Sequence, residues 1–145
     1  MSVFSSMNIS ASGMTAQRLR TDIITQNLAN VNTTRDADGS TYKRKDVVFA
    51  EKDITGFQGV LMMTEARRGS GVKVTQIVED NVTPQKMVYD PSHPDSNEEG
   101  YVTYPNVNTV TEMTNMIDAS RAYEANVTAF NAAKSMAMKG LELGK

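Results

Sequence analysis

TVTEMTNMIDASRAYEANVTAFNAAKSMAMKG, residues 109–140, decides the architecture of this 145-residue chain. Met113, Met116, Tyr123, Val127, Phe130, Ala137 and Leu141 recur at steps that return to one helix face. Ala122, Ala125, Ala129 and Ala133 fill neighbouring positions and make a second, smooth face. Thr109 followed by Glu112 reads as a capping box, hydroxyl and carboxylate answering each other's backbone N–H. Lys134 and Lys139 suit the negative end of the helix dipole, and Gly140 suits the residue just past the helix. A helix over residues 110–139 is a rod of roughly 45 Å at 1.5 Å per residue, long for one small domain.

Such a rod needs a partner, and the start of the chain offers one. Over residues 4–31, Met7, Ala11, Met14, Ile24, Leu28 and Val31 follow helical steps, and a second row, Ile9, Ala16, Ile23 and Asn30, repeats every seven. Gly13, Thr15, Thr21 and Thr25 lower helix propensity by a few tenths to roughly 1 kcal/mol each, so this helix requires tertiary support. Between the two, short alternating runs predict strands at the end of 42–50, at 72–78, 86–89 and 101–104. Gly56, Gly59 and the turn Gly69-Ser70-Gly71 punctuate them, and two prolines exclude regular structure from 90–97. The organisation is helix, small β region, helix: an α+β chain whose terminal helices are able to meet.

Composition removes several functions. No cysteine is present, which excludes disulfides, thiolate metal sites and cysteine nucleophiles. No apolar run exceeds four residues, far short of a membrane span, and residues 1–14 carry neither the basic nor the apolar region of a cleaved secretory signal. A net charge of −2 makes no electrostatic case for nucleic acid. By segment, residues 1–34 carry +1, 35–75 carry +2, 76–112 carry −6 and 113–145 carry +1. The acidic stretch reads as ordinary solvated surface. His93, with Asp90 and Asp95 nearby, is the one enzyme-like or metal-like constellation, but it has no second imidazole and sits in a Pro-flanked turn. No enzyme activity, metal or cofactor is expected. The methionines on the helical rows suit interfaces that must accommodate different neighbours, since the side chain is flexible and polarizable. An alternative is a self-contained helical-hairpin binding or adaptor module in the periplasm or cytoplasm.

The stretches SASGMTAQRLRTDIITQNLANVNTT (10–34) and GSTYKRKDVVFAE (39–51) resemble the opening of bacterial flagellar axial proteins of the rod and hook family. Residues 104–145 resemble that family's closing helix, and ASRAYEANVTAFNAAKSM (119–136) is most similar to proximal rod subunits. Residues 35–41 depart from the Thr-Pro-Gly-Tyr that often follows the family's Ala-Asn pair. The resemblance implies long terminal helices (1–34 and 107–145) pairing as an antiparallel, coiled-coil-like inner domain, with 35–106 as a β-rich outer region. It implies export through the flagellar type III apparatus without signal cleavage, and polymerisation into the periplasm-spanning rod of the basal body. Implied partners are copies of the chain, other rod proteins, basal-body ring and adaptor proteins, and the export gate. Met7, Met14, Ile24, Leu28, Val31, Met113, Met116, Tyr123, Val127, Phe130, Ala137 and Leu141 are the expected subunit-packing residues. Phe4 and Met7 are either an export handle or simply the first turn of the helix.

Overall fold

A computed structural model describes residues 3–36, 38–52 and 70–142. In chain order it contains α1 (Val3–Ala29), β1 (Lys45–Glu51), β2 (Val72–Glu79), β3 (Lys86–Tyr89), β4 (Tyr101–Tyr104) and α2 (Thr109–Glu142). Gly56, Gly59 and Gly69 of the expected punctuation lie outside the described residues. The terminal helices pack together, and the strands form two two-stranded ribbons, β1 with β2 and β3 with β4.

The hydroxyls of these polar helices bond back to their own backbone, which slightly weakens a helix, so packing between the helices must supply the support. Ser6, Ser12, Thr15 and Thr25 donate to carbonyls three or four residues earlier, and Thr114 and Thr128 do the same in α2. α1 ends at Ala29, before the expected Val31, because Asn30 caps it: its side-chain amide donates to the Gln26 carbonyl while Thr33 bonds back to Asn30. α2 differs from expectation at both ends. Its cap is Asn108, whose side-chain oxygen accepts the N–H groups of Val110 and Thr111 at 3.0 and 3.3 Å. Thr109 is therefore already helical and no capping box forms, since the Glu112 carboxylate is engaged elsewhere. At the other end, Gly140 lies inside the helix, which runs to Glu142. A single glycine costs about 1 kcal/mol against alanine, too little to stop it. The 34 residues extend about 51 Å.

The chain forms two compact units, each with part of both helices. In the first (within 3–19, 48–52, 70–76 and 119–142), the helices approach through small residues. Ala16, Ala119 and Ala133 are buried, and a Cβ on Gly13 would sit 2.7 Å from the Asn126 side-chain oxygen. Ala125 and Ala129 of the expected smooth face are exposed, and Ala122 is half-buried. The spacing of Ala119 to Ala133, two heptads, is that of a coiled-coil seam. The strand end of this unit is fastened to α1 by the Ser12 hydroxyl, which accepts the Val72 N–H at 3.0 Å. That contact requires Gly71: its φ is +103°, and a Cβ there would run into the Ser12 oxygen. Gly71→Ala is therefore expected to cost about 1–3 kcal/mol through strain and the lost fastening. Amide exchange at Val72 measures it, rising about five- to a hundredfold.

In the second unit (20–47 and 77–118), β3 and β4 pair antiparallel, Lys86 opposite Tyr104 and Tyr89 opposite Tyr101. Val102 is buried at 1 % exposure, while Met87, Tyr89 and Tyr101 on the alternate positions are exposed. Pro105 ends β4, as its missing N–H requires.

Candidate assembly surfaces and a buried polar knot

The second unit is held by side chains that carry charge and amide groups rather than by apolar packing alone. Asn27 is fully buried on α1, at the seam position one step beyond Ile23 and Ile24. Its amide donates to the Lys45 carbonyl (2.8 Å) and to Glu112 Oε2 (3.0 Å). Its oxygen accepts the Tyr42 hydroxyl and the Lys45 N–H, each at 2.9 Å. Every bonding position of that amide is thereby used. Glu112, 1 % exposed on α2, also accepts Arg44 Nε at 2.9 Å and the Asn115 amide at 3.3 Å. Arg44 reaches Asp46 at 3.5 Å on its wetter side.

The electrostatics follow from that geometry. Burial pulls the Arg44 guanidinium toward deprotonation, but the hydrogen bond and charge of Glu112 outweigh it and leave the pKa above its ordinary value. Burial, then the negative charges of Asp36, Glu112 and Glu79, raise the Tyr42 phenol above its usual 10.0, so it stays a neutral donor to Asn27. The knot joins α1, the residues leading into β1 and the first turn of α2. Asn106 extends it, accepting the Arg44 N–H at 2.8 Å and donating to the Asp80 and Thr83 carbonyls. Sequence reading placed Glu112 in a cap and gave Asn27 and Arg44 no role. The available signal was a polar Asn27 at helical spacing from Ile23 and Ile24.

The expected packing residues fall into two groups. Ile24 is buried, and Met7, Met14, Leu28, Val31, Met116, Val127, Phe130 and Ala137 are half-buried. Met113, Tyr123 and Leu141 are exposed at 53, 40 and 76 %, and Phe4 at 72 %. Exposure adds residues that the rows did not include: Val110, Ile117, Met136 and Met138. Val110, Met113 and Ile117 lie three and four apart, so they line one face of the start of α2. Val31 lines a cleft of about 500 Å³ with Val88, Tyr104, Pro105 and Val107.

The Asp90–His93–Asp95 constellation is occupied with holding its own loop. His93 Nδ1 accepts the Asp95 N–H at 3.1 Å, and Asp95 takes the Thr34 hydroxyl at 2.8 Å and Arg35 at 3.4 Å. Asp90 accepts the Ser92 hydroxyl and N–H, which hold its carboxyl below the usual range. This arrangement orders a loop and aims no free base at a cavity.

Comparison with known proteins bears on the whole chain. Residues 7–35 match the family model "Flagella basal body rod protein", and residues 98–143 match "Flagellar basal body rod FlgEFG protein C-terminal". The chain is similar to the flagellar basal-body rod protein FlgC of Bacillus subtilis, with 46 % identity covering all of both chains. It is 45 % identical to FlgC of Borreliella burgdorferi, over 99 % of this chain and 98 % of that one. FlgC of Salmonella typhimurium is 37 % identical over the full length of both.

Proposed function

The chain belongs to the FlgC family of flagellar basal-body rod proteins, structural subunits rather than enzymes, and from that premise we propose how it enters and serves the rod. It is exported through the flagellar type III apparatus without signal cleavage and polymerises by helix packing into the proximal rod. There it transmits torque from the motor toward the hook. Its partners are copies of itself, other rod proteins, the ring and adaptor proteins of the basal body, and the export gate. Residues 1–34 and 107–145 serve as the inner domain that meets neighbouring subunits, and 35–106 as the outer region.

One observation carries this reading. A chain with a fully bonded polar knot nevertheless leaves Val110, Met113, Ile117 and Leu141 more than half in water along α2. Monomeric proteins rarely expose apolar side chains in rows, and such rows mark interaction surfaces. Full burial of such a side chain from water is worth roughly 1.5–3 kcal/mol, and these, already partly covered, gain about half to three-quarters of that from a neighbour. Ordering backbone costs about 1–2 kcal/mol per residue, so the helices become rigid only when many such contacts close together at the growing tip. Electron microscopy of basal bodies from a strain lacking the chain tests the assignment: rings without a completed rod are expected, and intact rods would overturn it.

A further inference from the structure

Two contacts, one within each unit, fix where α2 lies along α1. In one, the Asn27 amide on α1 donates to Glu112 Oε2 on α2 at 3.0 Å. In the other, the Asn126 carboxamide fills the place where a side chain at Gly13 would stand. A Cβ there would sit 2.7 Å from its oxygen, 3.0 Å from its carbon and 3.1 Å from its nitrogen. Asn126 is held in that notch by donating to the Ala122 carbonyl at 2.8 Å. Gly13 and Asn27 are fourteen positions apart on α1, and Glu112 and Asn126 are fourteen apart on α2. Both contacts therefore specify the same antiparallel register, at points two heptads apart.

The small residues of the seam do not choose between registers. Ala119 and Ala133 lie seven positions to either side of Asn126. Sliding α2 by one heptad sets Gly13 against Ala119, and sliding it the other way sets Gly13 against Ala133. Small meets small in both cases, so the helices still approach closely. The first slip also brings Glu112 level with Arg20, a second guanidinium seven positions before Asn27. The amides do discriminate. After either slip Asn126 meets Ser6 or Arg20, each with a Cβ, in place of the glycine notch. Asn27 loses its carboxylate partner while staying tied to Tyr42 and Lys45. A buried polar group left without its partner penalises a wrong register more than any mismatch among alanines does.

We infer that the Asn27–Glu112 bond and the Asn126–Gly13 notch are two register locks, which keep α2 from slipping by a heptad along a seam that otherwise tolerates the slip. What they set is the reach of the α2 end. In the observed register Val3, the start of α1, is level with Met136, and Met138 and Leu141, 55 and 76 % exposed, stand beyond it. A slip of one heptad moves that apolar end by about 10 Å, at roughly 1.5 Å per residue. The inference concerns the single chain and goes beyond the rod-subunit reading, which supplies only the consequence: a slipped subunit presents its α2 end out of place to a neighbour.

Because the chain has no cysteine, introduced pairs report the register. Ala16 is one turn on from Gly13 and Ala122 one turn back from Asn126, so Ala16→Cys with Ala122→Cys closes a disulfide in the observed register. Ala16→Cys with Asn115→Cys, or with Ala129→Cys, closes one only after a slip by a heptad. Each pair is oxidised in the dilute, purified full-length chain, and the intramolecular linkage is read by peptide mass. In the otherwise unaltered chain the 16–122 linkage should exceed each of the others about tenfold or more. Arg44→Met, Glu112→Leu and Asn126→Ala together remove both locks and strand no charge. In that background helix content by circular dichroism should stay at the parental level. The 16–115 or 16–129 linkage should rise about tenfold relative to 16–122. Gly13→Ala in place of Asn126→Ala drives the carboxamide out of its notch and should give the same result. Linkage confined to 16–122 in both unlocked chains, comparable linkage of all three pairs in the parent, or loss of the helices on unlocking would overturn the inference.

Discussion

Glu112→Ala is expected to abolish completed rods at elevated growth temperature and to reduce them sharply at lower temperature. The carboxylate is 1 % exposed and serves Arg44, Asn27 and Asn115 at once. Its removal leaves a largely buried guanidinium facing a void and takes one acceptor from the fully buried Asn27. Breaking a buried pair by deleting one partner costs about 3–5 kcal/mol. Arg44 keeps 22 % of its side chain in water and still reaches Asp46, which places the loss near about 3 kcal/mol. That is a large share of the 5–15 kcal/mol that holds a typical domain together. The contrast is Arg44→Met with Glu112→Leu, which removes both charges and substitutes apolar volume. This pair should recover much of the lost assembly, because the expense of the single variant lies in the charge left behind. Counting rods in basal bodies by electron microscopy, beside swarm diameter, reads both outcomes. A single variant as motile as the parent would show that the knot is not what secures the start of α2 against α1.

The second large effect separates folding from assembly. Met113→Asp with Ile117→Asp changes two side chains that are 53 and 54 % exposed. In the isolated chain the new carboxylates stand in water, and surface substitutions of this kind usually fall within about 0.5 kcal/mol. On the packing proposed above, the rod encloses the same positions. There the variant forfeits roughly 1–1.5 kcal/mol of burial per site, about half of each side chain being covered already, and encloses two unpaired charges besides. Secretion of the chain into the medium should continue at the parental level, while rods and motility disappear. Normal motility in the double variant would remove this face of α2 from the subunit interface.

How far the sequence foretold this molecule depends on the range of each interaction. The strands at 86–89 and 101–104 were legible because alternation and proline act locally, through the pleat and a missing N–H. The existence of both helices was legible for the same reason. Their seam was not. The Met and aromatic rows are the more hydrophobic, and periodicity alone assigns them the contact. Yet two helices that approach closely do so over Gly13, Ala16, Ala119 and Ala133, where little side chain intervenes. That choice leaves the larger side chains at Met113 and Leu141 facing outward. The knot was least legible, since Asn27 and Glu112 are 85 residues apart and each has a plausible local role. Asn108 took the cap from Thr109 because asparagine is the stronger capping residue and Glu112 was already committed.

The assembly reading turns on the helices beyond the knot gaining their rigidity from neighbours. Amide hydrogen exchange, read along α1 and α2 in the purified single chain and in isolated basal bodies, measures that directly. Faster exchange over residues 3–19 and 119–142 than around Asn27 and Glu112 in the free chain, becoming strong protection throughout in the basal body, is the predicted result. Full protection in the free chain, lost in one cooperative melt, would contradict the account.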